Sequence, residues 1–80
     1  MEPIQEIKID INEKITVSAH LIPLKEKASA EVSVDDSENQ FFTPYKGIGI
    51  FANLGEAYTE IIKRAKGYSE KQGKQVQSIN

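Results

Sequence analysis

The sequence predicts an α+β fold: a three- to four-stranded antiparallel β-sheet, a meander, followed by one C-terminal α-helix packed on its apolar face. Two observations carry most of this. Apolar and polar residues alternate through most of positions 7–34, the period of half-buried strands. From Leu54 to Tyr68 the apolar residues recur instead at steps of three and four, the period of an amphipathic helix.

In the first strand Ile7, Ile9 and Ile11 share one side, with Lys8 and Asp10 on the other. Asn12-Glu13 is the expected turn. The second run sends Ile15, Val17, Ala19 and Leu21 to the core and Thr16, Ser18 and His20 the opposite way, until Pro23 ends it for want of an N–H. After Lys25-Glu26-Lys27 a third run buries Ala28, Ala30, Val32 and Val34 and leaves Ser29, Glu31 and Ser33 outside. Residues 35–40, DDSENQ, are expected as a polar loop. A fourth strand is expected from Lys46 to Phe51, with Gly47 and Gly49 admitting a bulge or a close backbone approach. Asn53 and Glu56 have the spacing of a capping box at the helix start, Glu60 precedes Arg64 by four positions, the favourable order for an ion pair, and Gly67 is the expected left-handed stop. The chain thus divides into a single β-β-β-(β)-α domain over 1–68 and a polar, flexible C-terminal tail over 69–80.

Eighty residues give one core and no more. Without cysteine there is neither a disulfide framework nor a thiolate zinc site. No apolar run approaches the roughly 18 residues of a membrane helix, and the acidic, alternating start is unlike a signal peptide; the expectation is a soluble, cytoplasmic protein. Charge is uneven. Residues 1–40 hold four Lys against nine Asp and Glu, giving −5, and residues 41–80 hold six Lys and Arg against three Glu, giving +3.

The segment GIGIFA at 47–52 has the outline of a dinucleotide-binding turn, G-x-G-x-x-A. Such a site requires a helix opening directly from the glycines and a second parallel strand ending in an acidic residue. Here Ile48, Ile50 and Phe51 are strand residues inside the would-be turn, and Glu70 falls in the polar tail. No nucleotide is expected. His20, the only histidine, falls on the polar strand face without a motif for nucleophilic catalysis. The acidic run from Asp35 places Gln40 and Lys46 where a calcium loop needs Gly and Glu. The expectation is a protein without catalytic residues, metal or cofactor.

Two surfaces remain. Phe41, Phe42 and Tyr45 form an aromatic cluster beside Pro44, and adjacent Phe41 and Phe42 point to opposite faces if extended. Exposed rigid aromatics make good protein-binding anchors. Lys63, Arg64, Lys66, Lys71 and Lys74 form a basic run opposed only by Glu70, suited to phosphate contacts or to the negative end of a helix dipole. The segment GIFANLGEAYTEIIKRAKG also resembles the strand-to-helix part of plant AP2-type and integrase arm-type DNA-binding domains. That resemblance implies a three-stranded sheet that reads DNA, but the polar strand face here carries Thr, Ser, His and Glu where those families carry Arg and Trp. The function expected first is therefore a non-enzymatic protein-interaction module, able to form a homodimer through an edge strand. The alternative is nucleic-acid binding through the basic helix end and tail, 63–74.

Overall fold

A computed structural model describes residues 4–80. Four strands follow one another as β1 (Gln5–Asn12), β2 (Ile15–Leu24), β3 (Lys27–Asp36) and β4 (Phe41–Phe51), then the helix α1 (Leu54–Lys71) and a two-residue strand, β5 (Ser78–Ile79). All pairs are antiparallel and the sheet order is β4-β3-β2-β1-β5. This is the expected meander with one helix packed on it, extended by a fifth strand.

Alternation decides the burial. Ile7, Ile9, Ile11, Ile15, Val17, Ala19, Leu21, Ala28 and Ala30 meet Ala57, Ile61 and Ala65 of α1 in one core. Val32 and Val34 are only half-buried at its edge. Each fully buried isoleucine contributes about 1.5–3 kcal/mol of transfer free energy. The small residues Ala28, Ala30, Ala57 and Ala65 bring the helix close over β2 and β3, with fewer contacts to β4.

Several elements run longer than their breakers suggested. Pro23 lies inside β2, opposite Ala28, beyond the last described β1–β2 pair of Gln5 with Leu21; its missing N–H therefore breaks no described ladder. The turn after β1 falls at Glu13–Lys14 and is held by Lys14 N–H donating to Asn12 Oδ1 at 2.7 Å. Asp35 and Asp36 belong to β3, not to a loop, and β4 begins at Phe41 rather than Lys46. Pro44 sits within β4 because β4 is an edge strand, where a missing donor costs little.

β4 carries two bulges. Consecutive Ala30 and Glu31 face Gly49 and Gly47, and Val32 and Val34 face Lys46 and Thr43, so each irregularity inserts one additional β4 residue. Gly49 has φ +137, a conformation other residues rarely adopt, whereas a Cβ on Gly47 would meet nothing within 4 Å. Neither glycine admits a close backbone approach; Gly49 serves the bulge.

At the helix start Asn53 Oδ1 accepts the Glu56 amide at 2.9 Å, and Glu56 Oε2 accepts the Ala52 amide at 3.3 Å. The other end differs from expectation. Gly67 is exposed in mid-helix, the cap is Gln72, and Gly73 at φ +68 makes the left-handed exit. A buried Ser69 explains the extra turn: its Oγ donates to Lys74 O at 2.6 Å while its carbonyl accepts the Lys74 amide at 2.9 Å. The chain then runs back along β1. Gln77 N–H donates to Asp10 O at 2.8 Å, and Lys8 and Asn80 exchange bonds of 2.9 and 2.8 Å. Instead of a wholly flexible tail, residues 69–71 complete the helix and 78–79 pair with β1, anchored by Val76 against the core. No helix among the described residues is long and apolar enough to cross a membrane.

Candidate functional site

The side of the sheet away from α1 is built from the other half of each alternation. Cross-strand pairs place Glu6, His20 and Glu31 in a row over β1, β2 and β3. His20 Nδ1 lies 2.8 Å from Glu31 Oε1, and Nε2 is 3.9 Å from Glu6 Oε2. A carboxylate only accepts, so Nδ1 carries the proton in the shorter contact.

Tyr45 completes the group. Its ring stacks on His20 with centroids 4.2 Å apart and planes at 13°. β4 and β2 are two strand spacings apart, roughly 10 Å, so the ring must reach across β3 to make that contact. The bulge at Thr43–Lys46 is where β4 has the additional residue for it. Ser33, expected outside and on this same side, is buried beneath that crossing.

Phe42 pairs with Asp35 and Ile50 with Ser29, both β3 residues of the open side. Phe42 is 68 % exposed, Ile50 66 % and Tyr45 41 %. Three large apolar side chains thus follow one another along a single edge strand. Phe41 pairs with Asp36 and leaves on the opposite, helix-facing side, although it too is exposed. The predicted trio therefore divides: Phe42 and Tyr45 share a surface, Phe41 does not. Ile50 is hidden from a reading of the sequence because it sits in the glycine stretch, where a bulge shifts the register.

The basic run is divided as well. Arg64 Nε pairs with Glu60 at 3.2 Å, as its spacing indicated, and Lys74 Nζ lies 3.5 Å from Glu38. Lys63 and Lys66 border a shallow groove along α1 with Tyr58 and Ile62, and Lys71 is exposed in the last helical turn. The five cations do not form one continuous patch of unpaired charge.

A second polar cluster, unforeseen from the sequence, fastens the helix end to the β3–β4 turn. Asp36 is fully buried. Its Oδ1 accepts the Asn39 amide at 2.9 Å, and its Oδ2 accepts Asn39 Nδ2 at 2.8 Å and the Tyr68 hydroxyl. Burial pushes this carboxyl up, but the bonds from Asn39, Tyr68 and the Glu38 amide outweigh it and hold it below the usual carboxylate range. Burial first, then the bond to Asp36 and its charge, pushes the Tyr68 phenol up to about 12. The bond from Asn12 is the main cause that lowers Glu38, aided by Lys74 and opposed by burial. Among the described residues no buried side-chain nitrogen or oxygen lacks a hydrogen-bond partner, and both oxygens of Asp36 are occupied, so this cluster suits a latch rather than a binding site.

No family model matches the chain, and no curated protein or solved structure matches it either.

Proposed function

We propose that the protein is a non-enzymatic interaction module that binds a protein partner through the open side of β4. The observation that supports this is the row of Phe42, Tyr45 and Ile50, exposed together on one side of an edge strand. Large rigid side chains of this kind anchor interfaces. Pro44 and the two bulges blunt the β4 backbone against continuous strand pairing, including pairing with a second copy. The contact therefore runs through side chains on the face, not through the strand's free hydrogen-bonding groups.

The test is a triple variant, Phe42→Ser with Tyr45→Ser and Ile50→Ser, used as bait against the cell extract beside the unaltered protein. Loss of the captured partner is the expected result, with the denaturation midpoint lowered by no more than the His20–Tyr45 stack contributes, about 0.5–1.5 kcal/mol. Capture that persists would remove the site from this surface. Size-exclusion chromatography of the same pair reports whether a second copy uses it.

A further inference from the structure

We infer that the partner contributes an extended, basic segment, with two cationic side chains at positions i and i+4, laid along the β3–β4 strip. This rests on the interaction surface proposed above and adds the chemistry of what it binds.

The strip has two unlike rails. β3 supplies carboxylates to the open side at Asp35 and Glu31, and β4 supplies the apolar row. Residues four apart on one strand share a face and stand about 13 Å apart at 3.3 Å per residue. An extended ligand chain has the same repeat, so its side chains at i and i+4 reach both carboxylates while i+2 passes over the Tyr45 ring, which crosses β3 between them.

Each carboxylate has an apolar or open neighbour that favours a cation beside it. Asp35 is exposed and directly opposite Phe42, whose ring attracts a guanidinium or ammonium. Glu31 is opposite Gly47, where a Cβ would meet nothing within 4 Å, so the approach to its 34 % exposed side chain is left open on the β4 side. His20 holds one oxygen of Glu31 and fixes the carboxylate in place. The strand cations on this face are remote: Lys8 is on β1, two strands away, and Lys27 is at the far end of β3, while Lys14 lies in the β1–β2 turn beyond Thr16, the residue opposite Asp35.

Four capped nonapeptides test this, added to the isotopically labelled protein while amide NMR shifts are followed. One carries Arg at its third and seventh positions in a Val/Ser background. The others carry Gln at both, Glu at both, or Arg at the third and sixth, which face opposite sides when extended. The i, i+4 Arg peptide should bind about ten-fold tighter than the Gln peptide and shift residues 29–35 and 42–50. Its advantage should vanish as salt rises from 0.1 to 1 M, where the screening length falls from about 10 to about 3 Å. Glu31→Gln with Asp35→Asn should remove the Arg preference; the Gln at 31 retains an oxygen for His20, and the denaturation midpoint checks the fold.

Equal binding of the Arg and Gln peptides on these residues would overturn the basic partner while leaving the β4 surface in place. Equal binding of the Glu peptide, or of the misplaced Arg peptide, would overturn it too. Shifts confined to α1, or none with any peptide, would overturn both the partner class and the surface.

Discussion

Asp36 and Glu31 stand on the same strand, β3, and leave it on opposite sides. Asp36, facing the helix, has both oxygens occupied by Asn39 and Tyr68 and is closed to solvent. Glu31, on the open side, gives one oxygen to His20 and keeps a third of its side chain in water. The same contrast holds for the aromatics: Tyr68 is bonded within the latch, whereas Phe42 lies mostly in solvent. One side of the sheet uses its polar and aromatic groups to hold the molecule together. The other, apart from the His20–Glu31–Tyr45 group, leaves Phe42 and Asp35 available to something else. Stability and binding should therefore respond to different mutations.

The largest effect belongs to the covered side. Ile61→Ala removes a fully buried side chain at the helix–sheet contact and should cost about 2–5 kcal/mol, read from a shift of the denaturation midpoint at constant slope. A loss under about 1 kcal/mol would mean that the helix is not closely packed on the sheet at Ile61.

Tyr68→Phe comes next, at about 1 kcal/mol for the lost hydrogen bond, and it changes the pH profile. The unfolded phenol ionises near 10.0 and the folded one near 12. This raised value means that the contact's stabilisation is complete below pH 10 and is lost as pH rises through about 12. In the variant that alkaline loss should shrink. Asp36 acts at the other extreme. Its lowered folded value means that its contribution is complete above the ordinary carboxylate value of 3.8 and is lost as pH falls through the lower folded one. Asp36→Asn should flatten that acid limb of the stability curve.

Gly73→Ala, at φ +68 beyond the helix, should cost about 1 kcal/mol for a side chain forced into the left-handed region. The least change in stability belongs to the open side. Phe42→Ser should move the midpoint by no more than about 0.5 kcal/mol, as surface changes usually do. A loss comparable with Ile61→Ala would erase the distinction between the two sides.

The strong periods are legible in the amino-acid order itself. The isoleucines of β1 and the Leu54-to-Tyr68 stripe each repeat long enough to fix both element type and inward side. The Asn53–Glu56 cap is legible for the same reason, as a local interaction at fixed spacing. Breakers mislead where context overrides them. Pro23 and Pro44 tolerate a strand because no described ladder needs their missing donors, and Gly67 tolerates a helix because Ser69 and Gly73 end it later. Tyr58 shows the limit of periodicity, since it lies on the predicted stripe yet remains exposed.

The site is half legible. Phe42 and Tyr45 stand out in the sequence as aromatics beside a proline. Their company does not: the His20–Tyr45 stack crosses a strand, the Ile50 side depends on bulges, and the Asp36–Tyr68 bond joins residues 32 positions apart. Charge asymmetry between the halves is real in the sequence, yet Glu60 and Glu38 neutralise two of the five cations once the chain folds.

The division between the sides is tested most directly by site-specific photocrosslinking in the cell that makes the protein. A photoreactive phenylalanine analogue replaces Phe42 in one variant and Lys63 in another, and adducts are compared after irradiation. The account predicts a discrete protein adduct from position 42 and none from position 63. An adduct from position 63 alone would contradict it and return attention to the helix.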